Sequence, residues 1–209
     1  MLIGITGGIA TGKSLALGFF RKKGAIVFSA DQAAHSLMYP GSKIVEKIAD
    51  VFGRQALSND SENHSGIDRK KLSKIVFNDE RSRQKLNQIT HPAILRLIRA
   101  QIDGVRVDFP PDTVVVVEVP LLYEANLASW FDLVIVVKAS ESVQIKRLKT
   151  RNSLDEKSAL LRISSQLSLA RKCQMADFVI ENDGSEEDFE RCLEGFWVSL
   201  HSVKTRAES

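Results

Sequence analysis

Lys13 and Ser14 stand directly behind Gly12, closing the run Gly7-Gly8-Ile9-Ala10-Thr11-Gly12-Lys13-Ser14. An ammonium, a hydroxyl and three glycines at this spacing make one chemical device, a cradle for a chain of phosphates. The glycines let the backbone turn tightly and approach an anion with no Cβ in the way. Lys13 brings a point charge toward the β- and γ-phosphates, and the Ser14 hydroxyl is suited to ligate Mg²⁺. Backbone N–H groups at a helix start supply the remaining donors. The flanks agree: Leu2-Ile3-Gly4-Ile5-Thr6 reads as a short apolar strand and Leu15-Ala16-Leu17-Gly18-Phe19-Phe20 as a helix. Strand, glycine loop, Gly-Lys-Ser and helix together constitute a P-loop. A turn that merely favours glycine accounts for Gly7 and Gly8 but not for Lys13 and Ser14. Nucleotide binding follows.

Two carboxylates end later strands. Ala25-Ile26-Val27-Phe28 reads as a fully buried strand by its lack of alternation, and Asp31 follows it. A carboxylate there lies beside the crevice in which open α/β sheets bind ligands. Asp31 is equally placed to cap the helix that resumes through Ala33, Ala34 and Leu37, and one residue can do both. Glu118 closes Thr113-Val114-Val115-Val116-Val117, the clearest buried strand in the chain, and either reaches a metal shell through water or simply ends the strand. Farther on the sequence turns basic at Lys146-Arg147-Leu148-Lys149-Thr150-Arg151. Arg147 and Arg151 are four apart, so they project from one side of a helix, either as a solvated face or as a lid that closes over phosphates.

The elements that position these groups alternate. Leu133-Val134-Ile135-Val136-Val137 is a fourth strand and Phe178-Val179-Ile180 a short fifth. Strands alternating with helices predict an α/β fold with a five-stranded, mainly parallel, doubly wound sheet. Residues 42–108 separate strands 2 and 3 and are mostly helical. Asp68 and Asp79 are expected to cap two of those helices, and His91-Pro92 to start a long third; Ser58–Ser65 reads as an exposed polar loop. An insertion of this length commonly carries substrate recognition. Ser153 with Glu156 is expected to form a capping box, and a closing helix runs from Ser185 to about Val203. The chain divides as a single domain: a core of 1–40, 110–140 and 174–203, an insertion of about 41–109 and a lid of about 141–173.

Composition narrows the class. At 209 residues, 44% hydrophobic and 26% charged, the chain suits one globular domain with a substantial core. A net charge of +3 fits anionic small-molecule substrates and argues against nucleic acid as a partner. Cys173 and Cys192 fall in helical patterns with no metal-ligand spacing, so buried free thiols are expected. The opening lacks a basic n-region, and the longest apolar run, Val114 to Leu122, contains Glu118 and is too short to span a bilayer. A cytoplasmic protein with no membrane partner, monomeric or a small homo-oligomer, is expected.

A P-loop alone serves kinases, GTPases and motors. No Asn-Lys pair occurs to begin a guanine-reading stretch, and strand 3 ends in one carboxylate rather than an acidic pair. A small chain with an acid after strand 2 and a basic lid points to a kinase for a small hydroxyl acceptor. Several further stretches are then informative: Ala30-Asp31, Gly66-Ile67-Asp68-Arg69, Ile89-Thr90-His91-Pro92, Pro120-Leu121-Leu122-Tyr123-Glu124, Gln144 with Arg147 and Arg151, Gln166, and Ala176-Asp177-Phe178-Val179-Ile180-Glu181-Asn182-Asp183-Gly184. With the P-loop, these resemble the dephospho-CoA kinase family, in family order from residue 2 to about 184.

The resemblance implies a three-layer P-loop kinase core with a helical CoA-binding part and a lid. It implies ATP-dependent phosphorylation of the ribose 3′-hydroxyl of dephospho-CoA, with Mg²⁺. It places nucleotide contacts along Gly7, Gly8, Ile9, Ala10, Thr11, Gly12, Lys13, Ser14 and Leu15, with Arg147 and Arg151 closing from the lid. Lys13, Asp31 and Arg147 are the expected catalytic groups, Ser14 the metal ligand, and Asp31, Arg69, His91 and Glu118 the acceptor side. His91 before Pro92 is equally a structural helix-start residue. The chain departs from the family pattern at Ala10, where a third glycine is usual, and at Leu15, Ser29 and Asn87. Ala10 is unstrained only if its φ is negative. The other readings are a kinase for a different small acceptor, and a nucleotide-dependent switch or degenerate binding module.

Overall fold

Leu2–Gly7 forms β1, buried along its whole length, as befits the middle strand of a sheet covered on both faces. The computed structural model describes residues 1–58, 66–77 and 79–207. After β1 come α1 (Lys13–Lys22), β2 (Ile26–Ser29), α2 (Ala30–Ser36), α3 (Lys43–Phe52), α4 (Arg69–Phe77) and α5 (Glu80–Asp108). Then follow β3 (Val115–Glu118), β4 (Leu133–Lys138), α6 (Glu141–Asn152), α7 (Glu156–Ser164), α8 (Leu169–Met175), β5 (Phe178–Glu181) and α9 (Glu186–Ala207). The strands form a five-stranded sheet in the order β2-β3-β1-β4-β5. β1 is parallel to both neighbours, with Ile5 opposite Glu118 of β3 and Ile135 of β4, and β4 is parallel to β5. The α/β class and the five parallel strands agree with the sequence pattern. All three loops that leave the tips of β1, β3 and β4 therefore emerge on one edge, where open α/β sheets bind ligands.

The chain forms two compact units, one of residues 1–28 and 110–209, the other of residues 29–109. In the sheet unit, Ile3, Ile5, Val116, Ile135 and Val137 pack with Leu17 and Phe20 of α1 and with Phe189, Leu193 and Phe196 of α9. Two carboxylates pin the strand starts at the edge away from the P-loop: Asp132 Oδ2 accepts the Leu2 N–H and Asp177 Oδ2 the Val134 N–H, each at 2.7 Å. Asp177, part of the family-like run, is thus a structural residue. In the helical unit, Ile44, Ile48, Phe52, Leu72 and Ala93 form a separate core, with α2, α3 and α4 all packed on α5. The unit begins at Ser29, so α2 groups with the helical part rather than with the sheet.

Several local expectations need correction. β2 is half-buried, not fully buried, because it is an edge strand with a single neighbour. His91-Pro92 starts no new helix. Pro92 lies inside the continuous 29-residue α5, where Thr90, Ala93, Ile98, Ile102 and Val105 form its buried residues. Packing of that stripe outweighs a proline penalty of about 3 kcal/mol. Asp68 and Asp79 do cap: Asp68 Oδ1 accepts from the N–H groups of Lys70 and Lys71, and Asp79 from those of Arg81 and Ser82. The expected Ser153–Glu156 capping box is absent; Asp155 caps α7 by accepting from the Ser158 N–H, while Ser153 ends α6 with φ +51°. Both cysteines are free, but Cys192 is exposed and Cys173 only half-buried. α9 continues past Val203 to Ala207. Residues 59–65 of the expected polar loop lie outside the described residues.

Candidate active site

The loop between β1 and α1 is shaped by what surrounds it. A Cβ on Gly7 would stand 2.3 Å from the Val137 carbonyl oxygen of β4, and one on Gly12 2.1 Å from Asn182 Nδ2 beyond β5. Gly12 also takes φ +102° and is the residue from which α1 springs, with no side chain capping the helix. A helix start of this kind directs its first N–H groups and the positive end of its dipole at an anion. Lys13 is buried and curls back over the loop, its Nζ donating to the Gly8 carbonyl at 2.7 Å. Thr11 Oγ1 donates to the same carbonyl at 3.0 Å. Ser14 and Leu15 are exposed on the first turn of α1, and Ile9 and Ala10 are half-buried. Ala10 has φ +59°, so the departure from glycine at this position is strained.

Arg147 of α6 fastens the loop from outside. Its Nη1 donates to the Ala10 carbonyl at 3.3 Å and the Thr11 carbonyl at 3.5 Å, and its Nη2 to the Asn182 carbonyl and Oδ1 at 3.0 and 3.1 Å. Asn182 completes the clasp by donating from Nδ2 to the Thr11 carbonyl at 2.8 Å. The guanidinium therefore lies against the nucleotide loop, where the fork can hold several acceptors at once. Arg151, one turn farther, is exposed and donates from Nε to Asn152 Oδ1. Glu118 is buried at the tip of β3, one strand from the start of the loop. Thus the sheet unit gathers Gly7–Ser14, Glu118 and Arg147 around one loop, and leaves Arg151 outside that contact set.

The helical unit carries the other expected residues. Asp31 is exposed in the first turn of α2. The N-cap of that helix is Ser29, so capping does not explain Asp31. Arg69, exposed at the start of α4, meets His35 of α2 with Nη1 3.5 Å from Nδ1. His91 is half-buried on α5, and burial holds its pKa below the ordinary 6.5.

Sequence reasoning assigned no role to three groups that build the site. Asn182 stood in the family-like run Ala176–Gly184 but with no role attached. Gln144 packs against Gly8, whose Cβ would stand 2.7 Å from its Oε1, and donates from Nε2 to the Ala139 carbonyl. Lys172 of α8 is completely buried, its Nζ 2.9 Å from the Pro120 carbonyl and 2.9 Å from Glu124 Oε1. Thr6 Oγ1 donates to the same Pro120 carbonyl, and the Leu167 N–H to Glu124 Oε1. Lys172 thereby ties the turn after Glu118 to the root of α7 and α8. Tyr123, in that turn, has its phenol pushed up to about 12 by burial and then by the Asp177 charge.

A Gly-Lys-Ser loop at the tip of the central strand of a five-stranded parallel sheet, with a basic helix against it, defines a P-loop kinase. Residues 1–188 match the family model for dephospho-CoA kinase, and the chain belongs to that family. The dephospho-CoA kinase of Oceanobacillus iheyensis is 40% identical over 189 residues, covering 90% of this chain and 92% of that protein. The Geobacillus kaustophilus protein of the same name is 42% identical over 193 residues, covering 92% and 93%. Among solved structures, the dephospho-CoA kinase from Campylobacter jejuni aligns with a TM-score of 0.63 at 29% identity, over 95% of this chain and 96% of that one. A Thermus thermophilus structure reaches 0.76 at 27% identity, over 96% and 97%. A shikimate kinase from Acinetobacter baumannii, 12% identical with a TM-score of 0.54, shares the fold. The chain is a kinase with ATP as phosphoryl donor. Among the described residues no helix is long and apolar enough to cross a membrane.

Proposed function

We propose that this chain transfers the γ-phosphoryl group of ATP to the ribose 3′-hydroxyl of dephospho-CoA, giving coenzyme A and ADP, the final step of CoA biosynthesis. The observation that carries the reading is the Gly7–Ser14 loop folded onto Lys13 in a chain whose first 188 residues match that family. The acceptor oxygen attacks the γ-phosphorus, the bond to the β,γ-bridging oxygen breaks, and ADP leaves. Lys13 and the loop amides hold the phosphates in line and neutralise charge, which supplies most of the rate in such transfers. Arg147 lies against the loop and adds its charge as α6–α8, the lid of residues 141–173, close. Arg151 joins it only on closure.

Asp31 orients the acceptor hydroxyl and takes its proton. A carboxylate is a weak base, adequate where the proton leaves late in a loose transition state. The helical unit receives dephospho-CoA, with Arg69 and His91 on the acceptor side together with Glu118. The donor set suits Mg²⁺, since the Ser14 hydroxyl is exposed beside Lys13. Mg²⁺ takes few protein ligands and completes its shell with phosphate oxygens and water. When bound, it offsets charge between the β- and γ-phosphates.

The experiment is ADP release with ATP, Mg²⁺ and dephospho-CoA, run beside adenosine and gluconate. Release with dephospho-CoA and formation of CoA is the expected result; release only with another acceptor refutes the assignment. Asp31→Asn should bind ATP normally and lose most turnover, and unchanged turnover would remove Asp31 from the mechanism.

A further inference from the structure

A cavity of about 900 Å³ opens beside the nucleotide loop, bounded by Gly8, Gln144 of α6 and the leucines Leu160, Leu161 and Leu167. Its position along the loop is informative. Gly8 is the residue whose carbonyl Lys13 Nζ holds, and the P-loop lysine serves the β- and γ-phosphates. The cavity therefore adjoins the reacting end of the nucleotide, from which an acceptor must come. It is much larger than a ribose needs and lies at the upper end of small-molecule sites.

Its far wall is apolar and unusually open. Leu160 and Leu161, adjacent on α7, are 37% and 55% exposed. Two large apolar side chains at the border of a phosphate site offer nothing to the phosphates themselves. The wall also holds two polar atoms with unmet needs: Gln144 Oε1 and Gln166 Oε1 are shielded from water and have no hydrogen-bond partner among the described residues. Buried acceptors of this kind cost stability until a donor reaches them.

From this chemistry we infer that the α7 wall receives the pantetheine arm of dephospho-CoA. The inference rests on the acceptor proposed above and adds where its long arm is read. The arm carries a geminal dimethyl group and methylene segments that suit Leu160 and Leu161. It also has two amide N–H groups, the kind of donor that the Oε1 atoms of Gln144 and Gln166 lack.

The test is a Leu160→Ser/Leu161→Ser double variant in the full chain; both side chains are at least a third exposed, and circular dichroism checks the fold. The KM for dephospho-CoA should rise about tenfold or more, with the KM for ATP unchanged. In the unaltered protein 4′-phosphopantetheine should compete with dephospho-CoA and not with ATP, and the variant should lose this inhibition. Equal rises in both KM values would mean that the leucines serve lid closure alone and would overturn the inference. So would unchanged inhibition by 4′-phosphopantetheine in the variant. If the unaltered protein releases no ADP with dephospho-CoA, the functional reading itself fails and the arm site falls with it. Normal turnover of dephospho-CoA with no KM change in the variant refutes the arm site alone.

Discussion

Ala10→Gly should make the protein more stable. Ala10 occupies φ +59° in the middle of the nucleotide loop, a region that costs an L-residue roughly 1–2 kcal/mol because its Cβ crowds the backbone. The loop cannot relax away from this geometry. Arg147 holds the Ala10 and Thr11 carbonyls and Asn182 holds Thr11. Glycine removes the strain, but its freer unfolded chain takes back about 0.5–1 kcal/mol. The net gain is then about 0.5–1 kcal/mol, or a rise in thermal midpoint of about 1–4 °C for a chain of this size. Urea unfolding monitored by circular dichroism gives the free energy directly. Ser153→Gly is the matched comparison, since Ser153 sits at φ +51° at the end of α6, a position glycine favours. It should gain a similar amount. Asn126, at φ +55°, belongs to a residue type that tolerates this region, so Asn126→Gly should gain less. A loss of stability in Ala10→Gly, or a gain in Asn126→Gly above both others, would refute the strain argument.

Lys13→Ala should lower kcat by at least about 10²–10³-fold, the range seen when one preorganised donor is removed; near-normal turnover would show that the site is misassigned. Lys172→Met should cost about 3 kcal/mol in urea unfolding, because it leaves Glu124 without its cation in a largely buried setting. Adding Glu124→Leu should recover part of that loss, and strict additivity of the two would argue against the pair. His91 is held below its ordinary pKa by burial. The unfolded chain therefore binds the extra proton first, and stability falls as pH drops below about 6.5. His91→Gln should flatten unfolding free energy between about pH 6.5 and 5, and an unaltered slope would assign the pH dependence to other groups.

The loop and the sheet were legible because their signals are local. Gly7 to Ser14 lies between a strand and a helix within some twenty residues, and uninterrupted valine and isoleucine runs mark buried parallel strands. Errors arose where tertiary packing decides. Pro92 reads as a helix boundary, yet the apolar stripe from Thr90 to Val105 keeps α5 whole. Ala25 to Phe28 has the composition of a central strand, but its place at the sheet edge leaves it half-buried. Ser153 matched a capping pattern that Asp155, two positions later, fulfils instead. Asn182 lay in a family-like run that showed nothing of what it holds, and Lys172 lay in no pattern. Each owes its role to a carbonyl distant in sequence, at Thr11 and at Pro120.

The clasp of Asn182 on Thr11 joins residues 171 positions apart. A chain made from its N-terminus completes Gly7 to Ser14 long before it adds Asn182, the side chain that holds the loop's shape. Until β5 docks, the loop lacks both Asn182 and a seated Arg147. Nucleotide affinity is then a property of the finished sheet and not of the N-terminal segment. A shortened chain ending before residue 178 would keep every residue of the phosphate loop and bind ATP poorly. The capacity to bind nucleotide consequently reports that a pairing 171 residues apart has formed, the slow kind of contact for a folding chain to make.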